Sequence, residues 1–246
     1  MFSAQDFAAR LAKREDRWSL LKDFVAEWHT PLQVGDGYSA QEIDAAEQQL
    51  GLKLPAALRE WYLLAGRRAD LSSIDPYAFS GPQELSVEEN DCEVLWLFCE
   101  TQADISWGVK QKDLAQDDPP IYKEDTLNGE GLKQSNEHFS EFILQATMHQ
   151  TAYFTEIGGN ASGDANTPGI VRASFQPLGL PVWSYPCYPS QLFGGDDVLI
   201  ELDQDGKRYC YISVAALTED ALSHTVKLLK LGWDRLYNGI LINEIN

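Results

Sequence analysis

Apolar residues recur at helical spacing from the first turn of the chain onward. Phe7, Leu11, Trp18, Leu21, Val25 and Trp28 stand three, four or seven apart, which places them on one face of an amphipathic helix. Arg14 interrupts the stripe where its aliphatic stem can still pack. A second helix is predicted from Ser39. Ser39 and Glu42 have the S-x-x-E spacing of a capping box, in which each side chain satisfies the other's free backbone N–H. Ile43, Ala46 and Leu50 form its apolar face, and Gly51 follows where a left-handed residue is favoured. Pro55 suits the first turn of a third helix, because its missing N–H costs nothing there. Leu58, Trp61, Tyr62 and Ala65 supply that helix's buried side, and Gly66 can end it.

From about residue 85 the period changes. The run CEVLWLFCE alternates Val94, Trp96 and Phe98 with Leu95 and Leu97, the pattern of a central strand covered on both faces. ADISWGV alternates Ile105, Trp107 and Val109 with Asp104 and Ser106, so the two runs predict an antiparallel hairpin turning near Thr101-Gln102. Pro119-Pro120 can begin a strand or lie on an edge, which makes PPIYK a third, short strand. Helix returns around Ser140, with Phe142, Ile143, Ala146 and Gln150 on one face. GGNASGDANTPG, residues 158–169, reads as a small polar loop and the most mobile segment. LGLPVWSYPCYPS reads as extended and irregular. VLIEL and RYCYISV flank Asp205-Gly206, a strong hairpin signal, and Asp196-Asp197 is a turn entering the first of them. Thr218 can cap a last helix whose inner face is Leu222, Val226 and Leu229.

Helices, strands, one helix, strands and a helix follow one another without evident parallel βαβ units. That order predicts an α+β fold with a mainly antiparallel sheet. No linker splits the chain, so residues 1–246 are treated as a single domain with an N-terminal helical segment over 1–66.

Composition adds one unusual feature. Nineteen Lys and Arg face 38 Asp and Glu, a formal net charge of −19. Such a chain repels phosphate backbones, so direct nucleic-acid or anionic-membrane binding is disfavoured. Cys92, Cys99, Cys187 and Cys210 form no CxxC pair and read as buried free thiols in a reducing compartment. The N-terminus has no apolar segment of a signal peptide and no stretch reaches about 20 apolar residues, so a cytoplasmic location is expected. The sequon Asn160-Ala161-Ser162 then carries little weight.

Catalytic signatures are absent from the sequence. There is no G-x-S-x-G elbow and no phosphate-binding loop, since Gly206-Lys207 is followed by Arg208. His29, His138, His149 and His224 make no metal-binding pair, although His138 and His149 could share a helix face. Asp203-Gln204-Asp205-Gly206 begins like a calcium loop, but Val214 stands where the bidentate Glu belongs, so a hairpin turn explains it better. Neither metal nor cofactor is expected, and the chain reads as a non-enzyme.

The charge is unevenly placed. Residues 69–170 carry nineteen acidic and four basic side chains, most densely around the first hairpin. Uniform solubilising charge would not localise this way; clustered like charge costs self-repulsion in the free protein and gains from a basic partner by steering and complementarity. Glu88, Glu89, Asp91, Asp104, Asp117 and Asp118 are therefore the candidate partner-binding residues.

YSAQEIDAAEQQLGLKLPAALREWYLLAG resembles the opening of the SUKH superfamily (Smi/Knr-type domains), through Glu47, Leu50, Gly51, Leu54, Pro55, Trp61, Tyr62 and Gly66. Further on, Glu100, Gln102, Trp107, Gly108 and Asp118-Pro119-Pro120-Ile121-Tyr122 are similar to the family's later motifs, as is the helix HFSEFILQAT. The resemblance is clearest over 38–146. It implies helices packed on a twisted sheet of about six strands, structural roles for Gly51, Pro55 and Pro119, and no catalysis. Bacterial members of that family are immunity proteins that bind and neutralise a cognate toxin, often a nuclease; fungal relatives are signalling scaffolds. The expectation is a monomeric immunity protein laying an acidic surface over a basic, nuclease-type toxin. The competing readings are a scaffold or regulatory protein-binding domain with no toxin partner, and an enzyme or ligand binder with a pocket lined by Trp96, Trp107 and Tyr122.

Overall fold

The computed structural model describes residues 4–74, 77–88, 93–99, 104–126, 128–184, 188–195, 197–205 and 209–236. The chain divides into two compact units, one of Arg14–Thr147 and one of Met1–Lys13 with Met148–Asn246. The fold is α+β, and every strand pairing in it is antiparallel.

The N-terminal stripe does not make one helix. α1 (Ala4–Arg10) and α2 (Arg14–Trp28) are separated by a turn at Leu11–Lys13. The break lies where the chain leaves one unit for the other. Phe7 is buried in the unit of Met1–Lys13 and Met148–Asn246, and Trp18, Leu21 and Val25 in the unit of Arg14–Thr147, so the shared periodicity serves two faces.

In the Arg14–Thr147 unit, α3 (Ala40–Leu50) begins with the reciprocal Ser39–Glu42 capping box and ends at Gly51, whose φ of 67° a side chain would strain. The Ser39 backbone N–H, the Ser39 hydroxyl and Arg67 all donate to Glu42, which lowers its pKa to about 2. Pro55 stands at the N-cap of α4 (Ala56–Ala65), which buries Leu58, Trp61 and Tyr62. A short helix α5 (Ala69–Ser72) leads into a two-stranded ribbon, β1 (Ser73–Ile74) and β2 (Tyr77–Ala78). The main sheet of the unit has the order β3-β4-β5-β6-β7, with β3 Ser86–Glu88, β4 Val94–Cys99, β5 Ile105–Lys110, β6 Ile121–Asp125 and β7 Glu130–Asn136. β4 and β5 pair antiparallel as the alternation requires; the turn assigned to Thr101-Gln102 lies outside the described residues. Pro119 and Pro120 directly precede β6, so an internal strand forms without losing a ladder bond. The core is aromatic: Phe79 packs against Trp61, Tyr62, Phe98 and Phe139, and Trp107 against Phe98 and Phe142. A ring of this kind that is fully buried, such as Phe139 or Phe142, contributes about 1.5–3 kcal/mol of transfer free energy.

α6 (Phe139–Phe154) contains the unit boundary, between Thr147 and Met148. A boundary inside a helix leaves no polar linker for the sequence to display.

The second unit is built on a seven-stranded sheet of order β10-β11-β12-β13-β8-β14, with β9 also paired to β11. Its strands are β8 Gly158–Gly163, β9 Gln176–Pro177, β10 Trp183–Ser184, β11 Pro189–Gly195, β12 Val198–Asp205, β13 Tyr209–Ala216 and β14 Trp233–Leu236. The described strands are thus divided between sheets of seven, five and two, where a sheet of about six was expected. α7 (Thr167–Ser174) and α8 (Glu219–Leu229, capped by Thr218) share a core with one sheet face, in which Val171, Leu222 and Val226 join Ile200, Leu202 and Ile212.

The mobile loop expected over 158–169 is not a loop. Residues 158–163 form an interior strand between β13 and β14, and α7 starts at Thr167. Small residues are there because the neighbours are close: a Cβ on Gly158 would sit 2.3 Å from the Val214 carbonyl oxygen. The sequon's Asn160 is buried in this strand. The expectation of buried thiols holds for Cys210 but fails for Cys99, which is exposed at the end of β4, where its sulfur accepts from the Ser106 hydroxyl; Cys92 and Cys187 lie outside the described residues.

Candidate functional site

The carboxylates singled out by charge density have different environments. Glu88 lies at the end of β3, while Glu89 and Asp91 fall outside the described residues. Asp104 is half-buried just before β5, and its carbonyl accepts from the backbone N–H and hydroxyl of Thr126. Asp117 is the open one: its side chain is 82% exposed, with Arg14 at 3.7 Å. Asp118, its neighbour, is only 10% exposed and is engaged internally. It accepts Arg17 Nη2 at 2.7 Å, the Ser140 hydroxyl at 2.6 Å and the Ser140 backbone N–H at 2.9 Å. Arg17 in turn donates to Ser140 Oγ at 2.7 Å. Asp118 therefore caps the first turn of α6 and neutralises a buried guanidinium. Asp113, in the same acidic run, is likewise buried and accepts from Gln116 and Tyr122. What stands outward among the described carboxylates of the run is Glu93, Asp117 and, further on, Glu137.

The motif residues point inward. Glu47 is 3% exposed and accepts the Leu54 N–H at 3.0 Å, Lys53 Nζ at 2.6 Å and Arg59 Nη1 at 2.7 Å. Burial pushes its carboxyl up, but the bonds from Lys53, Leu54 and Arg59 together outweigh that and hold it below its usual range. Gly51 and Glu47 thus pin the turn that sends the chain into α4. Trp107 is fully buried in the aromatic core, and Tyr122 carries Lys110 over its ring at 4.0 Å and donates to Asp113. Both rings are thus engaged in packing and ring contacts. An open recess of about 380 Å³ does occur beside α5, lined by Thr30, Pro31, Gln33, Asp36, Arg68 and Asp70. Its one cation, Arg68, is already held by Asp36 at 3.0 Å and Asp70 at 2.7 Å.

The second unit holds a polar cluster that sequence reasoning did not assemble. Strand alternation puts Val198, Ile200 and Leu202 in the α7–α8 core and turns Glu201 and Asp203 to the opposite face. There His149 Nδ1 meets Glu201 Oε2 at 2.7 Å, and the Tyr153 hydroxyl donates to Asp203 Oδ2 at 2.9 Å. His149, Glu201 and Asp203 are all at most 3% exposed. Trp183 closes edge-on against the imidazole, and Tyr153 stacks on Tyr211. Ser213 stands opposite Glu201 on β13, and Ser190 opposite Asp203 on β11. Burial, and second the nearby Glu201 carboxylate, push Asp203 up to about 8. The Tyr153 hydroxyl is also raised, by burial first and then by Asp203 and Glu201. The available signals were the i, i+4 spacing of His149 and Tyr153 on a helix and the i, i+2 spacing of two acids in an apolar strand. In the sequence Asp203 opens the Asp203-Gln204-Asp205-Gly206 turn pattern, which hides its place in the strand. His138 does not join His149: it precedes α6 and faces the Asp118 carbonyl.

Among the described residues no group of three His, Cys, Asp or Glu is placed to hold a metal ion, and no helix is long and apolar enough to cross a membrane. Comparison with protein-family models, with curated proteins and with solved structures finds no match for this chain.

Proposed function

We propose that the protein works by binding a basic protein partner through exposed carboxylates of its Arg14–Thr147 unit, as an immunity protein of the SUKH kind that neutralises a cognate, nuclease-type toxin. What carries the reading is the division of roles within that unit. The motif residues Glu47, Gly51, Pro55, Trp61, Tyr62 and Trp107 are consumed in turns and core. The acidic surplus over residues 69–170 includes side chains that nothing internal requires, Asp117 foremost. A toxin that grips phosphate presents a basic groove, and a carboxylate surface is complementary to it. Asp118, engaged internally, leaves the contact set; Glu88, Glu89, Asp91, Asp104 and Asp117 remain in it, with Glu93 and Glu137 beside them in character.

The test is co-expression with the protein encoded beside this one. Growth rescue is expected, together with a complex whose affinity falls steeply with added salt and falls further in a Asp104→Lys/Asp117→Lys variant. Absence of both rescue and binding would overturn the immunity reading. A tight complex insensitive to salt and to those substitutions would refute the carboxylate surface and place an apolar contact in its stead.

A further inference from the structure

In the second unit, two buried carboxylates share one sheet face with a single imidazole. Among the described residues of Met1–Lys13 and Met148–Asn246 no Lys or Arg is buried. His149 accounts for Glu201, which it meets at 2.7 Å. Asp203 receives a neutral donor, the Tyr153 hydroxyl, on Oδ2 alone, and its buried Oδ1 has no hydrogen-bond partner. A naked carboxylate in that position would face the Glu201 carboxylate two residues away on the same strand face, an unfavourable arrangement in a dry site. The groups facing Asp203 offer no remedy: His149 and Tyr153 from α6, Glu201 from its own strand, Tyr211 and Ser213 from β13 and Ser190 from β11. The smallest cation that can restore balance without a cavity is a proton, and Oδ1 is the bare oxygen that can carry it.

We propose that Asp203 is a neutral carboxylic acid in the folded protein, and that its proton fastens the last two turns of α6 (Met148–Phe154) to the sheet as a pH-sensitive latch. The sign follows from linkage. The closed latch holds Asp203 protonated well above its ordinary 3.8, whereas the opened segment does not. The latch is therefore tightest below that ordinary value, loosens about tenfold for each pH unit as pH rises above it, and levels off above about 8, where Asp203 is ionised in both states. On opening, the proton passes from Asp203 Oδ1 to solvent.

Two measurements on the full-length chain test this. In protein labelled with ¹³C at aspartate carboxyls, the Asp203 signal, assigned by its loss in Asp203→Asn, should titrate near 8. Hydrogen-exchange protection at residues 148–154, corrected for intrinsic chemistry, should fall about a hundredfold from pH 5 to pH 7 in the wild type. In Asp203→Asn, which mimics the neutral acid, that slope should vanish. An Asp203 titration near 3.8, or the same slope in Asp203→Asn, would sink the proposal. If Asp203→Asn does not fold, assignment through the resonances of Tyr153 and Tyr211 leaves the wild-type titration to decide.

Discussion

Replacing Asp118 by Ala should unfold the Arg14–Thr147 unit far more readily than replacing Asp117, although the two are adjacent and chemically alike. Asp118 neutralises Arg17, which is 3% exposed, and satisfies both the hydroxyl and the first-turn backbone N–H of Ser140. Removing one member of a buried ion pair typically costs about 3–5 kcal/mol, because the remaining charge is stranded. Losing a helix cap costs about 1 kcal/mol more, though the two effects overlap at Ser140. A loss of about 4 kcal/mol is expected for Asp118→Ala. With an m-value of about 2 kcal/mol/M, urea unfolding followed by circular dichroism should show a midpoint about 2 M lower. Asp117→Ala removes a side chain that is 82% exposed and 3.7 Å from Arg14, and should stay within about 0.5 kcal/mol of wild type. The double variant Arg17→Met/Asp118→Ala should recover much of the loss, since no buried charge is then left alone. A midpoint shift under about 0.5 M for Asp118→Ala would refute the argument and return Asp118 to the pool of partner-binding carboxylates.

Two further outcomes follow from the same kind of reading. Glu47→Gln should cost about 2–3 kcal/mol at neutral pH, because three donors lose a charged acceptor. The folded Glu47 lies below its ordinary 4.5, so its contribution is present above that value and lost as pH falls through the folded one; the wild-type advantage in chemical denaturation should close in acid. Gly158→Val would put a branched side chain where a Cβ already lies 2.3 Å from a β13 carbonyl and 2.4 Å from Thr155. A loss of about 3 kcal/mol or an insoluble product is expected, and a variant within about 1 kcal/mol in a thermal melt would show that the strands can part there.

The elements that were legible share a local cause. The Ser39–Glu42 box, Gly51 after α3, Pro55 before α4 and Thr218 before α8 are each fixed by hydrogen bonds or dihedrals within a few residues, so the sequence displays them directly. β4 and β5 were legible because their apolar alternation is a one-dimensional record of burial. β8 was not, because Gly, Asn, Ala and Ser carry no periodicity, and the strand exists only through what β13 and β14 do on either side. Its glycines mark close backbone approach, which composition alone renders as a loop. The candidate surface suffered similarly. Charge density identified a region, but Asp117 and Asp118 differ only in what long-range partners do with them. The acids of β12 were hidden by a rule that is usually sound, that carboxylates face water.

β8 has a consequence for how this chain is made. Its six residues leave the ribosome about 50 residues ahead of β13 and about 75 ahead of β14, the two strands that flank it. During that interval the segment must wait, with both of its hydrogen-bonding edges open. An apolar strand left so long would be a template for wrong pairing. Gly-Gly-Asn-Ala-Ser-Gly is nearly inert in that role, since it has little apolar surface and low intrinsic strand propensity. The composition that makes the strand invisible in the sequence also keeps it harmless until its partners arrive.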